Sequence, residues 1–183
     1  MEVLRRKERR TGVLTLAFKN NKGQIFLDII VIAIILFVAG LIFVFLHMIN
    51  SNITDALISE DDFAVGTTQG DMLKTWDNAL PSTFDNAFIV MFILLWVFVI
   101  VSSIFIDSHP VFIVISFILL IVLLSVVGVL SNSYESFIME DGIYTFASSF
   151  PKINYVMEHL VMFLVFMSFS GLIAVFGKNR WGV

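Results

Sequence analysis

The stretch that decides the fold runs from Gln24 to Ile49 and reads QIFLDIIVIAIILFVAGLIFVFLHMI. Its only ionisable residues are Asp28 near the start and His47 near the end. A helix of this length, at about 1.5 Å per residue, is long enough to cross a hydrocarbon core of roughly 30 Å. The stretch therefore predicts a first membrane span over about 25–49.

Three more apolar runs follow, and they predict further spans at about 87–106, 110–130 and 155–176. We therefore expect an all-α integral membrane protein in which residues 24–177 form a four-transmembrane-helix bundle. The composition agrees, because 58% of the residues are hydrophobic and only 14% are charged, against about 25% charged in soluble domains. The link between the second and third spans is short, which predicts an antiparallel helical hairpin. The chain has no cysteine, which excludes disulfides and thiolate metal sites.

Charged residues divide the segments outside the spans into two groups. Residues 1–23 form an arm with seven Lys or Arg and two Glu, and the tail 178–183 has two bases and no acid. The loops 51–86 and 131–154 together hold ten acidic residues and two lysines. Basic segments stay on the cytoplasmic side, and four spans return the chain to the side where it began, so we expect both termini on the inner side. The arm then sets the topology and contacts anionic lipid, and we do not expect it to bind nucleic acid.

The two acidic outer loops are each expected to contain a short amphipathic helix. The first loop carries an apolar stripe at helical spacing that is expected to lie along the outer surface and to end at Pro81. Its members are Met72, Leu73, Trp76, Ala79 and Leu80. In the second loop, aromatic and aliphatic residues surround an Asp141-Gly142 turn. The loops are interpreted either as a docking surface for a partner or a cation, or as a solvated rim that keeps the outer face soluble.

One local motif resembles a known processing site. Lys22-Gly23-Gln24 precedes an apolar run in which Asp28 is the fifth residue counted from Gln24, and this resembles the processing site of archaeal type IV prepilins. Prepilins have one apolar amino-terminal helix, whereas this chain has four predicted spans. We therefore assign no family from the motif, and Asp28 is also explained by its place in the first helical turn, where the helix dipole favours a negative charge.

Three ionisable residues at the outer ends of the first and fourth spans form a candidate metal site. They are His47, Glu158 and His159. If these two spans are neighbours, the three side chains lie at a similar depth and can bind a metal ion or titrate near neutral pH. The alternative is simple pairing of polar groups at the membrane interface.

A second layer of charges lies at the inner ends of the spans, and we interpret it as an ion-pair layer that ties helices together. Its members are Asp28, Asp107, His109, Lys178 and Arg180. In the fourth span, Ser170, Gly171 and Ala174 give a small-x-x-x-small spacing, which favours close contact between helices.

The middles of the spans contain no Asp, Glu, Lys, Arg or His, and transporters, pumps and intramembrane proteases need such groups there. We therefore expect a non-enzymatic structural, assembly or accessory subunit of a membrane-embedded complex, such as a virion membrane, an appendage base or an enzyme complex. Its expected partners are the lipid bilayer and other membrane subunits or copies of itself, and we expect no cofactor. The alternative is a small oligomeric channel, transporter or membrane-permeabilising protein whose pore is lined by the span serines.

Overall fold

A computed structural model describes residues 24–104 and 112–181. Within these two ranges the chain is helical and contains no β-strand. The helices are α1 (Gln24–Ile58), α2 (Thr68–Ile104), α3 (Phe112–Ile138), α4 (Tyr144–Ala147), α5 (Pro151–Glu158) and α6 (Leu160–Trp181), with a 3-10 turn at Asp61–Phe63.

Three of the helices, α1, α2 and α3, are long and apolar enough to cross a membrane. The pair α5 and α6 is bent by 69° at its break and supplies a fourth crossing if the pair is one span. The chain is therefore a helical, multi-pass membrane protein with three or four candidate spans.

Four long helices pack in a ring in which α1 contacts α2, α2 contacts α6, α6 contacts α3 and α3 contacts α1. The connections from α1 to α2 and from α3 to α5 lie at the same end of the bundle, which we call the polar end, because each long helix runs opposite to the long helix before it in the sequence. The first residue of α1 and the last residue of α6 lie at the opposite end.

The predicted hairpin of the second and third spans is wrong, since α2 and α3 are diagonal in the ring and scarcely touch each other. If the axes of neighbouring helices are about 10 Å apart, the axes of two diagonal helices are roughly 14 Å apart. The seven residues between Ile104 and Phe112 reach up to about 24 Å when extended. A short link therefore does not force two helices to be neighbours.

The core of the bundle is built from large aliphatic and aromatic side chains. Phe88 and Phe92 of α2, Leu123 of α3 and Leu164 of α6 are almost completely buried. The ring of Phe92 meets that of Phe163 edge to face, with the ring centroids 5.3 Å apart. Such contacts are directional, so aromatic side chains hold the helices at defined rotations.

The outer surface of the same helices is also apolar. Large exposed side chains cover it, among them Val31, Ile35, Ile42, Val90, Leu94, Phe98, Phe117, Ile121, Val129, Phe166 and Ile173. A helix that is apolar on all sides is typical of a membrane span. The burial pattern agrees with lipid around the bundle.

The helices extend further than the sequence predicted. Helix α1 continues nine residues past Ile49, and α6 continues through Gly177 to Trp181. The amphipathic stretch of the first loop does not end at Pro81, because α2 runs through this residue without interruption. An internal proline costs a helix about 3 kcal/mol. Pro81 is buried, and α2 contacts α1 and α5 along this part of its length, so tertiary packing offsets that cost.

Candidate functional site

The polar end holds an open cavity of about 530 Å³ between α1, α2, α4 and α5. Its walls carry hydroxyl, amide, carboxylate and imidazole groups beside two prolines and a phenylalanine. The lining residues are His47, Ser51, Asp77, Asn78, Pro81, Ser82, Asp85, Thr145, Phe146, Ser149, Pro151 and Lys152. This cavity is the candidate functional site.

Asp85 of α2 is buried and caps the first turn of α5. Its Oδ1 accepts hydrogen bonds from the backbone N–H groups of Ile153 at 2.8 Å and Lys152 at 3.1 Å, and its Oδ2 accepts from Lys152 at 3.1 Å. The first N–H groups of a helix have no partner within the helix, and the helix dipole favours a negative charge there. Phe150, the residue before α5, offers no side-chain cap. Asp85 therefore joins α2 to α5 by taking the place of a local cap.

His47 of α1 lies against Asp77 of α2 inside the same cavity. Its Nδ1 is 3.7 Å from Asp77 Oδ1, which is beyond hydrogen-bond range. The same Oδ1 accepts a hydrogen bond from Asn50 Nδ2 at 2.7 Å. The rings of Phe146 and Phe150 lie nearly perpendicular to the imidazole, with centroid distances of 5.9 and 5.6 Å. Within the described part of the chain, His47 Nδ1 is buried and has no hydrogen-bond partner.

A break at His159 separates α5 from α6. Ser131 of α3 donates a hydrogen bond of 2.8 Å to the carbonyl oxygen of Met157, in the last turn of α5. A carbonyl at the end of a helix loses its partner four residues ahead, and buried carbonyl groups need a replacement. Ser131 supplies that replacement and fastens the break to α3.

Further hydrogen bonds join the elements around the cavity. Tyr134 Oη donates to Asn154 Oδ1 at 2.8 Å, and Asn154 Nδ2 donates to the carbonyl of Ala147 at 2.9 Å. Lys152 Nζ donates to the side-chain carbonyl of Asn86. Together with Asp85 and Ser131, these contacts tie α2, α3, α4 and α5 into one unit.

The predicted metal site is not assembled. Among the residues that the structure describes, no three His, Asp or Glu side chains are close enough to hold a metal ion. His47 faces Asp77 and the phenylalanine rings, whereas His159 is exposed, stacks on the ring of Tyr155 and contacts the carbonyl of Tyr155 at 3.0 Å. Glu158 is exposed as well. The helix break at His159 and the position of Asp77 explain the separation, and the sequence pattern revealed neither.

The predicted inner ion-pair layer lies almost wholly outside the described residues. Asp107 and His109 fall between α2 and α3, and the side chains of Lys178 and Arg180 are also outside. Only Asp28 is described, and it is half-buried in the first turns of α1. The layer therefore stays a prediction.

The predicted helix-contact residues lie on α6, where it meets α2. Ser170 Oγ accepts a hydrogen bond from Trp96 Nε1 at 2.9 Å and donates to the carbonyl of Met167 at 2.8 Å. Gly171 is buried, and Ala174 is half-buried.

The groups that line the cavity differ in how far their hydrogen-bonding capacity is used. Among the described residues, Nδ1 of His47 has no hydrogen-bond partner. The carboxylate of Asp85 is fully used by backbone N–H groups. Asp77 and His47 keep capacity for a polar or cationic group.

Sequence reasoning missed the roles of Asp77, Asp85, Asn50 and Ser131. Asp85 lies just before the second apolar run, where an acidic residue ordinarily stabilises the start of its own helix. Its partners are 67 and 68 residues away. No signal in a single sequence identifies such a distant pair.

Comparisons with known proteins find no matching family model, no similar curated protein and no similar solved structure.

Proposed function

We propose that this chain is a non-enzymatic structural, assembly or accessory subunit of a membrane-embedded complex. A virion membrane, the base of a surface appendage and a membrane enzyme complex are the settings that suit it. The observation that carries the proposal is the dry interior of the bundle. Ionisable residues are absent from the middles of the spans, and three of the span serines bond to carbonyl groups of their own helices.

The hydroxyl groups of the spans support this proposal. Ser103, Ser125 and Ser168 each donate to a backbone carbonyl four residues earlier in their own helix. Ser103 and Ser168 are also completely buried. Because Ser103 and Ser168 are buried and the donors of all three serines are used, these hydroxyl groups offer few free donors to a permeating anion or to a chain of water molecules. This arrangement favours a packing role over a pore between copies.

The exposed apolar surface supports the choice of partners. It combines many aliphatic side chains with phenylalanines such as Phe45, Phe98 and Phe166. Van der Waals packing drives association between helices in lipid. Other membrane subunits or further copies of this chain are therefore the proposed partners within the bilayer, with the lipid itself around them.

The orientation is part of the proposal. Both termini are placed on the cytoplasmic side, because residues 1–23 and 178–183 are basic and the loops at the polar end are acidic. The polar end then faces the outside, and the basic arm contacts anionic lipid at the inner surface.

Purification in a gentle detergent tests the proposed function. We expect the tagged full chain to migrate as an assembly that contains further membrane proteins or copies, as judged by native gels and mass spectrometry. A lone monomer in several gentle detergents would contradict the proposal. A flux assay in proteoliposomes separates the alternative, since a selective conductance that is lost on Ser125→Ala, a change at an exposed span serine, would identify a channel instead.

A further inference from the structure

The imidazole of His47 and the carboxylate of Asp77 lie side by side on the wall of the open cavity. His47 exposes 7% of its surface, and its buried Nδ1 has no hydrogen-bond partner among the described residues. The side chain of Asp77 exposes 18% of its surface, and its Oδ1 is 3.7 Å from that nitrogen. We propose that this pair, the His47–Asp77 site, binds the protonated primary amine of a ligand, which donates an N–H bond to each side chain.

The distance between the two atoms suits one donor group placed between them. A hydrogen bond between nitrogen and oxygen spans at most about 3.2 Å, so His47 and Asp77 at 3.7 Å do not satisfy each other. An ammonium nitrogen about 2.9 Å from both atoms sees them at an angle of about 80°. Tetrahedral N–H groups then make two hydrogen bonds that are each bent by only about 15°, which is within the preferred range.

Asp77 is the carboxylate of the cavity whose charge has the weaker local compensation. The Asp85 carboxylate accepts backbone N–H groups at the start of α5, and the ammonium group of Lys152 donates to a neighbouring amide side chain. Asp77 accepts from the neutral amide of Asn50 at 2.7 Å. Its ionisable neighbour within 4 Å, among the described residues, is His47. A carboxylate that is largely removed from water gains from a cationic hydrogen-bond donor.

The two side chains together select a primary ammonium group over other ligands. In the tautomer that carries its proton on Nε2, the Nδ1 atom of His47 is an acceptor and requires a donor. A quaternary ammonium group has no N–H to give. Metal ions that bind imidazole need further His, Asp or Glu ligands, and the described residues assemble no such group of three. Water can donate to both side chains, but it brings no charge to Asp77.

Contacts between α1 and α2 place the site level with the end of the first apolar run. The ring of Phe84 stacks on that of Phe43 with a centroid distance of 4.9 Å, and Asn50 bonds to Asp77 one to two turns further along α1. The apolar run of α1 ends at Ile49, so the site lies near the membrane interface. A dissolved amine and the headgroup amine of a phospholipid share the required chemistry, and both reach this depth.

NMR of the full chain, labelled with nitrogen-15 in its histidines, tests the inference at Nδ1 itself. The chain has three histidines, and His47→Gln identifies the signal of His47. In nanodiscs of phosphatidylcholine, at constant pH and ionic strength, we expect ethanolamine to shift this Nδ1 signal in a saturable way. Choline is the matched control ligand, because it has the same hydroxyethyl group and charge but no N–H. It should leave the signal in place.

Asp77→Asn tests the part played by the charge. This variant should bind ethanolamine about tenfold more weakly, because hydrogen bonds to a charged group are roughly twice as strong as neutral ones. Asp55→Asn is the matched control, since it changes the net charge equally at an exposed residue of α1 outside the cavity. It should bind as the parent chain does. The comparison with choline uses the parent chain and decides the inference even if Asp77→Asn does not fold.

Nanodiscs that contain phosphatidylethanolamine identify the source of the amine. A lipid headgroup in the site would shift the His47 signal before any ethanolamine is added, whereas a site for a dissolved amine would respond to ethanolamine alone. Three outcomes would overturn the inference: no saturable shift in either kind of nanodisc, an equal shift with choline, or unchanged affinity in a folded Asp77→Asn chain. None of them bears on the subunit role, which the native gel decides separately.

Discussion

The carboxylate of Asp85 gives the sharpest prediction, because one side chain satisfies two backbone N–H groups of another helix. Asp85→Ala leaves the buried N–H of Ile153 and the partly buried N–H of Lys152 without an acceptor. A buried unsatisfied donor costs about 1–3 kcal/mol, and a donor that reaches water costs less. Loss of the charge at the start of α5 adds about 0.5–1 kcal/mol. We therefore expect Asp85→Ala to lower the free energy of unfolding by about 2–4 kcal/mol.

Asp85→Asn separates the hydrogen bonds from the charge. The amide keeps one oxygen acceptor for Ile153 but loses the charge and the second oxygen, so we expect a loss of about 1–2 kcal/mol. Asp55→Ala is the matched control, because Asp55 is exposed on α1 near the same end. Its expected effect is within about 0.5 kcal/mol.

Two assays check this order of stability. Thermal unfolding of the purified chain should show a decrease in melting temperature of roughly 4–16 °C for Asp85→Ala, by the scale of about 2–4 °C per kcal/mol for chains of this size. Hydrogen exchange of residues 150–158, measured by mass spectrometry, should also become faster. For amides that exchange only when this part of the chain unfolds, the rate should rise by about 30- to 1,000-fold. The reasoning is refuted if Asp85→Ala matches Asp55→Ala in both assays, or if Asp85→Asn is the more damaging substitution.

Three further substitutions test other contacts. A Cβ atom on Gly70 would lie 2.4 Å from the carbonyl oxygen of Ala64, so Gly70→Ala should cost about 1–3 kcal/mol in thermal unfolding, and an unchanged melting temperature would contradict this. Trp96→Phe removes the donor to Ser170 and should cost about 1 kcal/mol in the same assay. In the double variant, Ser170→Ala should add little to that loss, because the hydrogen bond is already absent. Ser131→Ala should speed hydrogen exchange beside the α5–α6 break several-fold. Exchange that matches the parent chain would show that the hydrogen bond from Ser131 to Met157 does not stabilise the break.

The positions of three apolar helices could be predicted from the sequence, whereas the predicted fourth span is broken at His159 in the structure. Apolar runs of about 20 residues have few alternatives to crossing a membrane as helices, because backbone polar groups must be satisfied internally in lipid. The runs that begin near Gln24 and Ala87 therefore lie in α1 and α2. The ends of the helices were harder to predict, since Pro81 and Gly177 are typical stop signals and yet both lie inside helices.

The arrangement of polar side chains could not be predicted in the same way. His47 was expected to meet His159 because both lie at the outer ends of predicted spans. That pattern predicts only a similar depth in the membrane for the two side chains. Which residue faces it depends on the rotation of each helix and on the break at His159, and these follow from packing. Asp77 and Asp85 carry no local signal that distinguishes them from a solvated acid such as Asp55.

Apolar packing and side-chain hydrogen bonds lie in different parts of the bundle, and most of the hydrogen bonds lie at the polar end. The polar end therefore contributes to the stability of the whole fold. In the apolar part of the described chain, the bond from Trp96 to Ser170 is the only side-chain hydrogen bond between long helices. Lipid is as apolar as the helix surfaces, so association there depends on how well side chains such as Phe92 and Phe163 fit together. The hydrogen bonds of Asp85, Ser131 and Tyr134 lie together at the polar end and join α5 to α2 and α3. Loss of Asp85 should therefore loosen contacts between α2 and α6 in the bilayer as well as the cap that it removes.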